Sequence, residues 1–253
     1  MGRKKALSKE ELQYLAQTCN DCFKDWWDPR LVDWKEASSL LPRLCSDQFL
    51  VWWNPKAFDW TKSSLLAEHC PEYFHIWWDP DRFDWENGSV MLALYCSTYI
   101  RTWWDPDRFD WKVGSYGLAC CCSDYFDLWW DSEQYNWKEF SGALAQYCDK
   151  YFVRWWDPNK YNWELASSEL AKYCSEWLFV WWDHQKFNWK DASEDLARYC
   201  SRHFDTWWNP RKFNWKQGSI ALVLYCTEHV NPRWRNLTEA AKQLLKIKKA
   251  KAQ

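Results

Sequence analysis

The sequence predicts an all-α fold: a right-handed α-solenoid of about nine repeats of 25–26 residues, each of two short helices and a one-turn helix, closed by terminal caps. Three observations carry that expectation. A tryptophan pair begins at Trp26, Trp52, Trp77, Trp103, Trp129, Trp155, Trp181 and Trp207, so successive pairs lie 26, 25, 26, 26, 26, 26 and 26 residues apart. Self-similarity at such a period marks stacked supersecondary units, none of which can bury its apolar face alone. Each pair also opens the same phrase, as in Trp103-Trp104-Asp105-Pro106-Asp107-Arg108-Phe109-Asp110-Trp111. Finally, Cys19, Cys45, Cys70, Cys96, Cys122, Cys148, Cys174, Cys200 and Cys226 fill one column of the repeat.

With that cysteine as position zero, the column seven residues earlier holds Ser38, Ser63, Ser89, Ser115, Ser141, Ser167, Ser193 and Ser219. A serine hydroxyl accepts a hydrogen bond from a backbone N–H two or three residues on, so this column predicts the N-cap of the first helix. Gly88, Gly114 and Gly218 just before it suit a chain turning into that helix. Leucine at −4 (Leu92, Leu118, Leu144), alanine at −3 and the cysteine make one apolar helical face. Position +1 reads Ser46, Pro71, Ser97, Ser123, Asp149, Ser175, Ser201 and Thr227, all residues that start helices. Pro71 inside one continuous helix would cost about 3 kcal/mol, so a break after the cysteine is expected. A second helix then carries Phe74, Phe126 and Phe152 and ends on the tryptophan pair, and Asp-Pro begins a single turn. At about 100° per residue the first tryptophan falls inside the apolar stripe and the second at its edge.

Residues 1–237 are expected to form a single elongated repeat domain, with units starting near 8, 38, 63, 89, 115, 141, 167, 193 and 219. Residues 238–253 follow as a basic C-terminal capping helix or tail, with Thr238 as a possible cap and Leu244, Leu245 and Ile247 as its apolar positions. The N-terminal stretch, interrupted by Lys9, Glu10 and Glu11, lacks the apolar core of a signal peptide, and no run approaches a membrane span. The expectation is a cytoplasmic protein without membrane association. Aromatic residues make up 21% of the chain and include 26 Trp, so apolar area is ample. The formal charge of −2 gives no global field that would mark a nucleic-acid protein. Cysteines stacked about 8–10 Å apart are too distant for disulfides, which predicts reduced, buried thiols.

Asp28, Asp79, Asp105, Asp131, Asp157 and Asp183 recur beside aromatic residues, but Asn54 and Asn209 share their column. A capping oxygen tolerates that exchange and proton transfer does not. Cys19-Asn20-Asp21-Cys22 and Cys120-Cys121-Cys122 have no partner pair at zinc spacing, and no phosphate loop or hydrolase signature occurs. No catalytic residue, metal or cofactor is therefore expected. Two binding constellations remain. The edge tryptophans Trp104, Trp130, Trp156, Trp182 and Trp208 are candidates for contact with a partner protein, Trp being enriched at interface hot spots. Arg82, Arg108, Lys160, Lys186 and Lys212, with Lys35, Lys112, Lys138, Lys190 and Lys216, make basic rows beside tryptophan, an arrangement suited to single-stranded nucleic acid. Such long side chains also simply cover apolar rims.

The wording, with Tyr-Cys-Ser or His-Cys-Pro followed by Tyr-Phe and then Asp-Pro-x-x-Phe-Asp-Trp, resembles short tandem α-repeats in uncharacterised bacterial and phage reading frames. The resemblance covers nearly the whole chain and brings no activity with it. The functional expectation is a non-enzymatic scaffold binding a partner protein, as an inhibitor or adaptor. The alternative is a nucleic-acid or nucleotide binder using the basic rows.

Overall fold

The computed structural model describes residues 6–251, and every regular element among them is helical. Two compact units divide between Tyr135 and Asn136. The first contains α1 (Lys9–Thr18), α2 (Phe23–Trp26), α3 (Trp34–Leu44), α4 (Phe49–Trp52), α5 (Ser64–His69), α6 (Phe74–Trp77), α7 (Trp85–Tyr95), α8 (Ile100–Trp103), α9 (Trp111–Cys121) and α10 (Phe126–Trp129). The second contains α11 (Trp137–Tyr147), α12 (Phe152–Trp155), α13 (Trp163–Tyr173), α14 (Leu178–Trp181), α15 (Trp189–Tyr199), α16 (Phe204–Trp207), α17 (Trp215–Tyr225) and α18 (Glu239–Lys251). Within each unit the long helices pack in sequence, α1 on α3 through to α9, and α11 on α13 through to α17 and α18. Each unit is thus a stack of like repeats, the α-solenoid arrangement.

Except in α1, which Ser8 caps, and in α5, the long helix begins five residues earlier than the serine column implied. Its first residue is the single tryptophan, and its N-cap is the Asp or Asn before it: Asp110 accepts from Lys112 N (2.9 Å) and Asn162 from Leu165 N (3.2 Å). The serines lie inside the helix, except Ser63, which precedes α5, and all of them are buried. Ser89, Ser115 and Ser167 donate to the carbonyl four residues back, on Trp85, Trp111 and Trp163. The same oxygens accept a backbone N–H from the next repeat: Asp59 on Ser38, Asp84 on Ser63, Asp110 on Ser89, Asn162 on Ser141, Asn188 on Ser167 and Asn214 on Ser193, at 2.9–3.0 Å. The column is therefore an inter-repeat staple and not a cap. The glycines before it are also mid-helix. A Cβ on Gly88 would lie 2.3 Å from Phe83 Cζ, so this glycine makes room for the inward ring of its own turn.

The break after the cysteine is present. Each cysteine of the column leaves the α basin, as with Cys70 at φ −131°, ψ 39°, and from Cys45 onward a three-residue 3-10 turn follows, with Pro71 at its first position where a missing N–H is harmless. The short helix then folds back so that the indole N–H of the first tryptophan donates to the cysteine carbonyl, at 2.7–2.8 Å for Trp52, Trp77, Trp103, Trp129, Trp155, Trp181 and Trp207. That carbonyl is an orphan of the helix C-terminus, so one side chain fills the core and satisfies the helix end. These seven indoles are 1% exposed, and each buries roughly 150–250 Å², or up to about 4–6 kcal/mol of transfer free energy. The third helical piece of the repeat is thus the 3-10 segment, while Asp-Pro forms a hydrogen-bonded turn closed by bonds such as Phe109 N to Asp105 O (3.0 Å).

The one 25-residue interval is absorbed at Trp60–Lys62, which is 3-10 where its counterparts are α. Three residues at about 2.0 Å rise span the same roughly 6 Å as four at 1.5 Å. Ser63 accordingly still reaches Asp84 N at 2.9 Å.

All twelve cysteines are free. In the ladder the thiol turns to an alanine carbonyl of the preceding repeat, as Cys174 to Ala145 O (3.6 Å) and Cys200 to Ala171 O (3.5 Å). Burial pushes the Cys96 and Cys200 thiols up to about 12. Native alkylation is therefore expected to label Cys22 and Cys121, which are exposed, and to spare the ladder from Cys45 to Cys226, whereas Cys19, expected to be buried with them, is only half-buried because no repeat precedes it among the described residues. Peptide mapping after labelling checks this, and a disulfide between Cys174 and Cys200 would contradict the stacking.

The ends are closed locally. Ser8 and Glu11 form a reciprocal capping box on α1. At the other end Thr238 Oγ1 accepts from Ala241 N (3.3 Å) at the start of α18, and Lys248 Nζ donates to Leu224 O (2.8 Å) at the end of α17. Ala241 and Leu245 are the buried residues of α18, whereas Ile247, expected on its apolar face, is 53% exposed.

Candidate functional site

The aromatic face of each repeat carries three tryptophan rows with different satisfaction. The first member of each pair from Trp52 to Trp207 is core, and Trp26 is half-buried. The single tryptophan donates its indole N–H to the carbonyl five residues back, as Trp85 to Pro80 O (3.0 Å), Trp163 to Pro158 O (2.9 Å) and Trp189 to His184 O (3.0 Å). The second member of each pair, the candidate contact row, is half-buried throughout at Trp104, Trp130, Trp156, Trp182 and Trp208. It is held in an aromatic box: Trp104 lies 5.1 Å from Phe109 and 5.4 Å from Trp111, and Trp182 lies 5.2 Å from Phe187 and 5.5 Å from Trp189. Trp156 repeats this against Tyr161 and Trp163, and Trp130 packs on Phe126 and Tyr135. Trp208 is covered further by Trp234, stacked at 4.9 Å.

Trp104, Trp156, Trp182 and Trp208 have no acceptor for the indole N–H among the described residues, nor do Trp53 and Trp78 in the same column. None of these nitrogens is a buried unsatisfied atom, so the donors reach solvent. This feature was invisible in the sequence, where all three rows are the same letter.

The basic row is placed across neighbouring repeats. Arg108 donates to Pro80 O (2.8 Å) and pairs with Asp81 (3.0 Å). Lys186 Nζ donates to Pro158 O (3.0 Å) and Asn159 Oδ1 (3.2 Å), and Lys212 Nζ to His184 O (2.6 Å). The Arg82 guanidinium sits 4.4 Å over the Trp60 ring. Lys160, half-buried, follows on the turn capped by Asp157. Arg108, Lys186 and Lys212 thus tie one turn to the one before it. Lys138, Lys190 and Lys216, in the column after the single tryptophan, enter no ion pair among the described residues.

Between α13 and α15 the rows meet in a groove of about 490 Å³ lined by Trp163, Glu164, Lys186, Asn188, Lys190 and Asp191. Its polar floor is built by the helix caps. Asn188 Nδ2 donates to Glu164 O (2.6 Å) and to Asp191 Oδ2 (3.0 Å). Asn162 and Asn214 make the same reach to Lys138 O and Lys190 O. In the first unit this column is Asp33, Asp59, Asp84 and Asp110, and an aspartate cannot donate such a bond.

The recurring carboxylates of the Asp-Pro turn are turn caps. Asp183 Oδ1 accepts from Gln185 N (2.8 Å) and Lys186 N (3.3 Å), bonds that hold its carboxyl below the usual carboxylate range. Asn54 and Asn209 accept from Lys56 N and Arg211 N in the same way. Among the described residues no three His, Cys, Asp or Glu side chains are grouped to hold a metal ion, and no helix is long and apolar enough to cross a membrane. No family model, curated protein or solved structure matches the chain.

Proposed function

We propose that the protein is a non-enzymatic repeat scaffold that binds a partner protein through its tryptophan face, as an inhibitor or adaptor, in the cytoplasm. The observation that carries this reading is the set of half-buried second-position indoles, Trp104, Trp156, Trp182 and Trp208, whose N–H groups have no acceptor among the described residues. A donor left for solvent beside large rigid rings is what an interface hot spot offers. Of the basic rows that the nucleic-acid alternative would use, Arg108, Lys186 and Lys212 already bind the preceding turn, which leaves it Lys190 and Lys216. The free thiols fit a reducing compartment.

Affinity capture from lysate should recover a protein on the wild-type chain and lose it on the Trp104→Phe, Trp156→Phe, Trp182→Phe variant, which keeps the ring packing and removes three donors. Capture that survives the substitutions places the interface elsewhere. Copurifying nucleic acid, seen as a high 260/280 absorbance ratio removed by about 0.5 M salt, would favour the alternative.

A further inference from the structure

The two units differ in charge on the tryptophan face, and the difference points to the chemistry of the partner. In the first unit the helix-cap column is aspartate at Asp33, Asp59, Asp84 and Asp110; in the second it is Asn136, Asn162, Asn188 and Asn214. Lys190 and Lys216 stand two residues further on in consecutive repeats, both exposed and neither ion-paired among the described residues. Of the two carboxylates lining the groove between α13 and α15, Asp191 already accepts the Asn188 amide. Glu164 is the one acidic group left uncommitted there, against Lys190 and the anchored Lys186. Lys35 and Lys112 hold the same column in the first unit but stand beside the cap aspartates Asp33 and Asp110, so the face of the second unit is the more cationic of the two.

The donors add a direction. Trp156, Trp182 and Trp208 repeat once per helix pair, and stacked helices lie about 8–10 Å apart. An extended polyproline II chain rises about 3.1 Å per residue and turns once in three, so carbonyls on one of its sides recur at about the interval of one repeat. We infer that the tryptophan face of the 136–253 unit takes an extended acidic polypeptide segment, whose backbone carbonyls accept from the indoles of Trp156, Trp182 and Trp208 and whose carboxylates lie against Lys190 and Lys216. The inference rests on the scaffold reading above and names its ligand. A folded partner domain spends most of its carbonyls on its own secondary structure. A charged segment that repels itself stays extended and keeps them available.

The test uses the full chain and fluorescein-labelled oligoglutamate, with oligolysine and oligothymidylate of equal length as controls, followed by anisotropy. Oligoglutamate of about nine or more residues should bind, a tetramer should bind at least about tenfold more weakly, and the controls should not bind. Lys190→Glu with Lys216→Glu, both on exposed positions, should weaken oligoglutamate about tenfold and remove most of its salt dependence. Trp156→Phe with Trp182→Phe and Trp208→Phe should weaken it about tenfold without changing that salt dependence, with melting curves confirming that the variants stay folded. Equal affinity of wild type and charge variant, or preference for oligothymidylate, overturns the acidic-peptide inference. Loss of oligoglutamate binding alone, with capture of a lysate protein still dependent on the tryptophan row, overturns the ligand class and leaves the scaffold reading standing.

Discussion

Replacing Trp103 or Trp155 by alanine is expected to lower stability by about 3–5 kcal/mol, whereas Trp104→Ala or Trp156→Ala should cost clearly less. Trp103 is 1% exposed, stacks on Phe109 at 6.1 Å and crosses Trp104 at 5.9 Å. Truncation opens a cavity the size of an indole in a site walled by helices on several sides, and such cavities collapse only partly. It also removes the donor for Cys96 O, at 2.8 Å, leaving a buried helix-end carbonyl without a partner. Trp103→Phe separates the two effects, since it retains most of the volume and loses only the hydrogen bond, for about 1–3 kcal/mol. Because a stack of repeats melts by neighbour-coupled units, hydrogen exchange in α8 and α9 should accompany the denaturation measurement. Equal losses at Trp103 and Trp104 would mean that the two rows are not core and rim.

The period, the break and the core columns were legible because each is a local or periodic property. Pro71 could not sit in a helix interior, and the tryptophan pair placed one member in the apolar stripe and the other at its edge at a fixed angular step. The solenoid stacking followed from units too small to bury their own faces. What escaped the sequence depends on contacts between repeats. Ser167 looks like a cap because local reasoning pairs a hydroxyl with an N–H a few residues ahead, while its acceptor role is filled by Asn188, 21 residues on. Lys186 looks free until its ammonium is seen on Pro158 O of the preceding turn. The three tryptophan rows read alike in one-letter form, yet Trp181 and Trp189 donate to carbonyls and Trp182 does not. Donor satisfaction is decided by where carbonyls fall in space, and that row is where the candidate site lies.

Ser167→Ala is expected to cost about 1–3 kcal/mol, the penalty for a part-buried amide left without its acceptor, with the damage appearing in the next repeat. Ser167 is 1% exposed, so water does not replace the lost oxygen. Its hydroxyl donates to Trp163 O and accepts Asn188 N at 3.0 Å, so a single atom joins the first turn of α13 to the residue that caps α15. Asn188 is itself fixed by its amide bond to Glu164 O, and losing the serine loosens one end of that clasp. The location of the effect distinguishes this role from capping. A lost N-cap would free the backbone N–H groups of Glu169 and Leu170, two and three residues on in the same helix. A lost staple frees the N–H of Asn188 and leaves those two inside intact α13. Amide hydrogen exchange resolved by residue therefore decides it: faster exchange at Asn188 and unchanged protection at Glu169 and Leu170 is the expected result. The reverse pattern would restore the serine to the start of the helix and move every repeat boundary with it.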